Sequence, residues 1–257
     1  PLRLVGSEMC IRDRIWAWEK WLTATVLTML AVCCLLPLAA VWLKAVSAGS
    51  SWAVLLEAQT WAAVWNTVRF SAAAVAAATV LGVLYAAAAR QMAWLRALMF
   101  LPFMVSPVCI AFGVLLLYPQ WTASLWLLTA TYALLAYPFV AKDVLAAWDG
   151  LPKDYTAAAR TMGANGFQTA CYVTAPLLKP ALRRGLTLAS ATCIGEFAAT
   201  LFLSRPEWQT LTTLIYDYLG RAGADNYGRA MVLTAVLTAL ALTAFLLVDE
   251  AEGQKAV

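Results

Sequence analysis

Hydrophobic and polar positions are not interspersed along this chain but gathered into blocks. Apolar runs of roughly 20 residues recur, and each is about long enough to cross a bilayer as a helix. Strands of a membrane barrel would instead alternate over about 10 residues. The continuous runs predict helices, because a helix satisfies its own backbone in lipid. The pattern predicts an all-α membrane protein with six transmembrane helices. Their approximate bounds are 21–46, 67–89, 97–118, 122–141, 185–203 and 229–248. Pro119-Gln120-Trp121 leaves room only for a tight hairpin between spans three and four.

Between spans four and five lies the longest polar interruption, within residues 142–184, and its centre is 151–176. Pro152 suits a helix start. Lys153–Met162 then reads as a short alanine-rich helix, and Gly163 suits its left-handed C-terminus. Phe167–Thr174 reads as a second short helix that ends before Pro176. Ala157, Ala158 and Ala159 let a partner approach closely, and Phe167 and Tyr172 offer apolar anchors. Such a helix–turn–helix protrusion is suited to insertion into a groove.

Lysine and arginine placement sets the expected orientation. With the N-terminus in the cytoplasm, the inner side carries Lys20, Arg90, Arg96, Lys142, Lys153, Arg160, Lys179, Arg183, Arg184 and Lys255. The outer side carries Lys44, Arg69, Arg205, Arg221 and Arg229. That ten-to-five division puts the polar segment and both termini in the cytoplasm. Trp52, Trp61, Trp65, Trp121 and Trp208 then fall near outer span ends. Residues 51–65 have apolar positions at helical spacing, compatible with an interfacial helix. Residues 204–228 read as a solvated outer loop.

Composition agrees and removes several chemistries. The chain is 63% hydrophobic and only 12% charged, and its net charge of +4 suggests no nucleic-acid surface. It contains no histidine, the commonest general base and a common metal ligand. Six cysteines form no C-x-x-C pair and read as small buried hydrophobes. No G-x-x-x-x-G-K-[ST] phosphate loop is present, so ATP is not bound in that way. No cofactor and no metal site are expected in this chain, and it is not expected to be an enzyme. Residues 1–14 resemble a translated transposon end used in sequencing libraries, the rival reading being a charged leader. They are set apart from a permease domain at 15–250 and a cytoplasmic tail at 251–257.

Within the spans, Ala72–Ala78 of span two supplies small residues for helix packing, the alternative being a lipid-facing side. Glu196 is the one acidic residue inside an apolar span, and an ionisable group at that depth faces a cavity or a partner. Three readings stay open for it: a polar lining of a pathway, a hydrogen bond locking span five to its neighbour, or a shallower position. Gly195 beside it would permit close helix approach.

The polar segment resembles that of ATP-binding cassette importer permeases, whose cytoplasmic pattern is E-A-A-x-x-x-G-x(9)-I-x-L-P. Ala157, Ala158 and Ala159 fill the E-A-A places, and Gly163 matches the glycine. Val173 stands for the isoleucine, Ala175 for the leucine, and Pro176 matches the proline. The glutamate is absent, so docking here should rest on shape and apolar contact. Residues 195–207, with Thr210-Leu211 and 226–231, resemble the ferric-iron branch of these permeases; thiamine permeases are close, and sulfate and molybdate permeases further away. The resemblance implies several partners: ATPase subunits docked on the cytoplasmic loop, a second permease half, an outer substrate-binding protein and the lipid bilayer. It implies a bacterial inner-membrane location, ferric iron as cargo with thiamine as the alternative, and ATP hydrolysis on a separate chain. A single half could also be the C-terminal part of a double-length permease. The rival class is a carrier driven by an ion gradient, which would carry midplane charges in repeated halves.

Overall fold

The computed structural model describes residues 17–121, 124–203 and 205–253. The suspect segment 1–14, Thr122 at the expected start of span four, Ser204, and 254–257 of the expected tail lie outside them. Every regular element among the described residues is helical.

Helix α1 (Ala17–Ser47) keeps its apolar side chains exposed along most of its length, as a helix facing lipid would. Only its last turns pack, where Val41 and Ala45 meet a 3-10 turn (Gly49–Leu56) and the final helix. Helix α2 (Ala58–Gln91) absorbs most of the segment expected to lie in the interface and continues it into span two. Its 34 residues extend about 51 Å at 1.5 Å per residue, well beyond the ~30 Å hydrocarbon core. Phe70, Ala74, Ala78, Gly82 and Ala86 form a buried stripe at intervals of four residues. That stripe lies on α6 (Leu125–Asp149), the most enclosed of the long helices.

The third expected span is not one helix. It consists of α3 (Ala93–Leu98), α4 (Leu101–Met104) and α5 (Pro107–Leu117), with a 92° bend between Met104 and Pro107. The cause is local. Pro107 disfavours helical geometry at the preceding residue, and Val105 and Ser106 have ψ of 139° and 131°.

The fifth expected span is also different. Helix α7 (Lys153–Thr161) leads through a turn to α8 (Gly166–Thr169), a π turn (Ala170–Thr174) and α9 (Ala175–Ile194). Pro176 therefore does not end the second short helix. The Ala175 N–H bonds back five residues to the Ala170 carbonyl, and this wider turn admits the proline ring. The first half of α9 carries Lys179, Arg183 and Arg184, and the helix stops at Ile194. Gly195-Glu196-Phe197 separate it from α10 (Ala198–Leu203).

The outer loop expected at 204–228 is largely built. A 3-10 turn (Pro206–Trp208) precedes α11 (Leu211–Gly220), whose N-terminus is closed by the Thr210–Thr213 capping box. Helix α12 (Ala224–Gly253) follows and includes the first residues of the expected tail.

By length and composition, four described helices can cross a membrane, and the bent α3–α5 unit adds a fifth if taken as one span. The chain is an all-α membrane protein. One core lies among α2, α6, α9 and α10, and a second among the Gly49–Leu56 turn, α11 and α12. Cys193 is buried, but Cys33, Cys34, Cys109 and Cys171 are exposed, contrary to the sequence reading. Cys33, Cys34 and Cys109 lie on apolar helices, where an outward cysteine needs no protein neighbour because lipid can cover it, whereas Cys171 lies in the π turn.

Candidate coupling hairpin and pathway helices

The hairpin is closed by backbone geometry. Gly163 has φ of +88°, the left-handed region that glycine enters without penalty. The Gly163 N–H bonds to the Arg160 carbonyl at 3.0 Å, and the Ala164 N–H to that of Ala159 at 3.1 Å. This pair is the Schellman closure of a helix C-terminus. Two residues later a reciprocal cap starts α8. The Gln168 N–H donates to Asn165 Oδ1 at 2.8 Å, and the Asn165 N–H to Gln168 Oε1 at 2.9 Å. The Asn-x-x-Gln spacing is the sequence signal that Asn165 starts the next helix.

The three alanines divide. Ala159 is buried, whereas Ala157 and Ala158 face outward. Val173 is half-buried, and Ala175 and Pro176 are exposed. Large apolar side chains cover the outer surface: Met162 is 83% exposed, Tyr172 80%, Phe167 78% and Tyr155 52%. Tyr155 and Met162 were not singled out from the sequence, although large apolar residues in a polar segment are the available clue.

Behind the hairpin, the ends of α2 and α6 are clamped together. Asp149 accepts Arg96 Nη1 at 2.8 Å and lies 3.5 Å from Arg90 Nε. Arg96 Nε also donates to the Ala89 carbonyl at 3.1 Å, closing the end of α2. The Arg90 guanidinium lies 4.7 Å from the Trp148 ring centroid. A recess of about 320 Å³ separates this clamp from the hairpin.

Gly195 and Glu196 sit at the other end of α9. Twenty residues at 1.5 Å place them about 30 Å from Ala175 along the helix. Glu196 is 9% exposed, and its Oε1 accepts the Ala199 N–H at 3.1 Å, capping α10. Its carbonyl, not its carboxylate, ties the break to neighbouring helices: Tyr132 of α6 donates at 3.2 Å and Thr212 of α11 at 3.1 Å. Tyr132 also bonds Thr200 of α10. A Cβ on Gly195 would meet only the Ala191 carbonyl of its own helix, at 3.5 Å. The close helix approach expected at Gly195 is found at Gly82 and Gly185 instead, each packed on Val140.

Near that end of α9 opens a second recess of about 380 Å³, lined by Gln59, Thr200, Arg205, Gln209, Thr213 and Asp217. Gln209 bridges it, bonding Gln59 at 2.9 Å and also Asp217. Farther along, Arg229 binds Glu57 at 2.7 Å and Asp225 at 2.9 Å. Tyr218 donates to Glu57 and Ser51 to Asp225, each at 2.9 Å. Charges read as solvated from the sequence are thus partly joined in a network.

Residues 78–249 match the family described as binding-protein-dependent transport system inner membrane component. The 2-aminoethylphosphonate transport system permease protein PhnV of Salmonella typhimurium is 27% identical over 196 residues, covering 73% of each chain. The sulfate transport system permease protein CysT of Escherichia coli is 32% identical over 164 residues, 58% of each. The fold is shared with a bacterial ABC transporter that imports the acidic polysaccharide alginate. That likeness has a TM-score of 0.73 at 17% identity and covers 93% of this chain and 97% of that one. A second structure of an alginate ABC transporter, in complex with its alginate-bound periplasmic protein, aligns with a TM-score of 0.70. The chain belongs to the binding-protein-dependent inner-membrane component family and is a permease subunit of an ABC-type importer.

Proposed function

We propose that this chain forms half of a translocation pathway and that the α7–α8 hairpin is where a separate ATPase subunit docks. One observation carries the reading. The hairpin presents Tyr155, Met162, Phe167 and Tyr172 outward and continues through helical turns into α9. A load on the hairpin is therefore delivered along α9 to the Gly195–Phe197 break. Ala157, Ala158, Ala159, Gly163, Phe167, Val173, Ala175 and Pro176 form the coupling element, and no residue of this chain is catalytic. The hairpin and both termini face the cytoplasm in this reading, six segments cross the membrane, and a second half completes the pathway. Gly195 and Glu196 form the flexible end of the lever, with the Glu196 carboxylate as a helix cap.

For the cargo, two readings stand. The relatives are named for 2-aminoethylphosphonate, sulfate and molybdenum, which favours a small oxyanion. The resemblance of residues 195–207 favours ferric iron, with thiamine next. The test is uptake into vesicles holding the permease, its ATPase and its binding protein, with sulfate, 2-aminoethylphosphonate, ferric iron and thiamine offered separately. ATP-dependent uptake of one anion is expected. Uptake driven by an ion gradient without the ATPase would overturn the importer reading, and uptake of iron alone would overturn the anion.

A further inference from the structure

The recess behind the hairpin brings positive charge together with little to neutralise it. Arg90 and Trp148 line it from the span ends, and Arg160, Thr169 and Thr174 from the hairpin side. Asp149 beside it is shared by Arg90 and Arg96, so one carboxylate answers two guanidiniums. The Arg90–Asp149 separation of 3.5 Å is longer than an ordinary hydrogen bond, whereas Arg96 holds the same carboxylate at 2.8 Å. Arg160 pairs with no carboxylate among the described residues. Its place in the last turn of α7 suits a cation, but leaves its planar fork available.

Size and position narrow the ligand. At about 30 Å³ per water, the 320 Å³ recess holds roughly ten waters' worth of space, enough for a phosphate group. Arg90 and Trp148 stand one residue from the ends of candidate spans Ala58–Gln91 and Leu125–Asp149. Both thus stand at the polar ends of apolar helices, the kind of place where basic pockets between helices hold lipid phosphates. Guanidinium forks match phosphate oxygens in paired hydrogen bonds.

We propose that this recess binds a phosphate-bearing anion between Arg90 and Arg160, and that its occupancy fixes the hairpin against the span ends and thereby regulates transport. The regulatory half rests on the coupling reading above; the binding half does not. The anion comes from either an anionic phospholipid or free inorganic phosphate. An occupied recess would join Arg90 of α2 to Arg160 of α7 through one ligand, restricting the motion that a docked ATPase imposes.

The experiment uses the full chain in nanodiscs of phosphatidylcholine alone or with phosphatidylglycerol, with and without its ATPase. Retained phosphatidylglycerol is read by native mass spectrometry, and inorganic phosphate by equilibrium dialysis. Specific retention of the lipid identifies the membrane source; phosphate binding in phosphatidylcholine identifies the soluble one. Arg90→Gln and Arg160→Gln should each weaken binding about tenfold, and Arg160→Lys less. The bound anion should change the ATPase rate of the complex, and each Gln variant should diminish that change. Binding of neither anion to the unaltered protein would overturn the proposal, as would variants that bind normally. An Arg160→Gln protein that loses its ATPase yet keeps its anion would make Arg160 a docking residue and overturn the site. An unaltered permease that recruits no ATPase would instead count against the coupling reading, leaving the binding result to stand.

Discussion

A Cβ atom on Gly185 would stand 2.7 Å from the Cα of Val140. The opposite flank of the same valine meets α2, where a Cβ on Gly82 would lie 2.7 Å from Val140 Cβ. Helix α6 is thus gripped at one level by two glycines from two helices. Lipid gives helices no hydrophobic reason to associate, so close packing of this kind has to hold them. The grip also places α9 directly on α6, so the helix that carries the hairpin bears on the most enclosed helix of the bundle.

The first prediction concerns that grip. Gly185→Ala puts a methyl against backbone, which cannot move aside as a side-chain tip can. A destabilisation of about 1–3 kcal/mol is expected, the usual cost of overpacking. Gly82→Ala meets Val140 Cβ at 2.7 Å and the Ala141 nitrogen at 3.1 Å, atoms the backbone also holds in place, and should cost a similar amount. Thermal unfolding in detergent measures both; tolerance of both would show that α2, α6 and α9 separate readily.

Gly163 makes a different prediction, because its Cβ would meet nothing within 4 Å. Space is not the constraint; the φ of +88° is. Gly163→Val should strain the turn by at least about 1–2 kcal/mol, while Gly163→Asn should be tolerated. In reconstituted vesicles, Val should lower cargo-stimulated ATPase activity and uptake together, and Asn should preserve both. Full activity with Val would refute a fixed hairpin angle.

These two glycines show what the sequence makes legible. Gly163 could be read because its requirement is local: a polar alanine-rich helix needed an end. The reverse cap at Asn165 and Gln168 was equally local and was readable from spacing. Gly185 was placed at the start of a span with no role, because its constraint is Val140 in another helix. The bend at Ser106-Pro107 hid inside unbroken apolar composition, though Pro107 itself marked it. The break at Gly195–Phe197 has no proline, and what holds it open is Tyr132 and Thr212 reaching the Glu196 carbonyl from elsewhere in the chain. Composition reports what faces lipid, and it is silent on which helices touch.

Glu196 can be separated into cap and lining roles by two substitutions. Glu196→Gln keeps an oxygen for the Ala199 N–H, whereas Glu196→Ala removes it. The Ala variant should lose about 0.5–2 kcal/mol, the usual value of a helix cap. The Gln variant should retain stability and transport alike. If Gln changes cargo selectivity at unaltered stability, the carboxylate acts on the pathway and the cap is secondary.

The last prediction concerns Arg229, which joins three elements. Its Nη1 binds Glu57, just before α2, and its Nε binds Asp225 one turn earlier in α12. Tyr218 of α11 donates to the same glutamate. Arg229 and Glu57 keep 28% and 37% side-chain exposure, so solvent screens the pair and its coupling should be modest, about 0.5–1 kcal/mol. A double-mutant cycle of Arg229→Gln and Glu57→Gln, read by thermal unfolding, measures it. The single variants should each cost more than the coupling alone, since each leaves a half-buried partner without its counter-charge. A coupling near zero would mean that the apolar contacts of Leu211, Leu214 and Leu233 hold α11 and α12 without the ion pair.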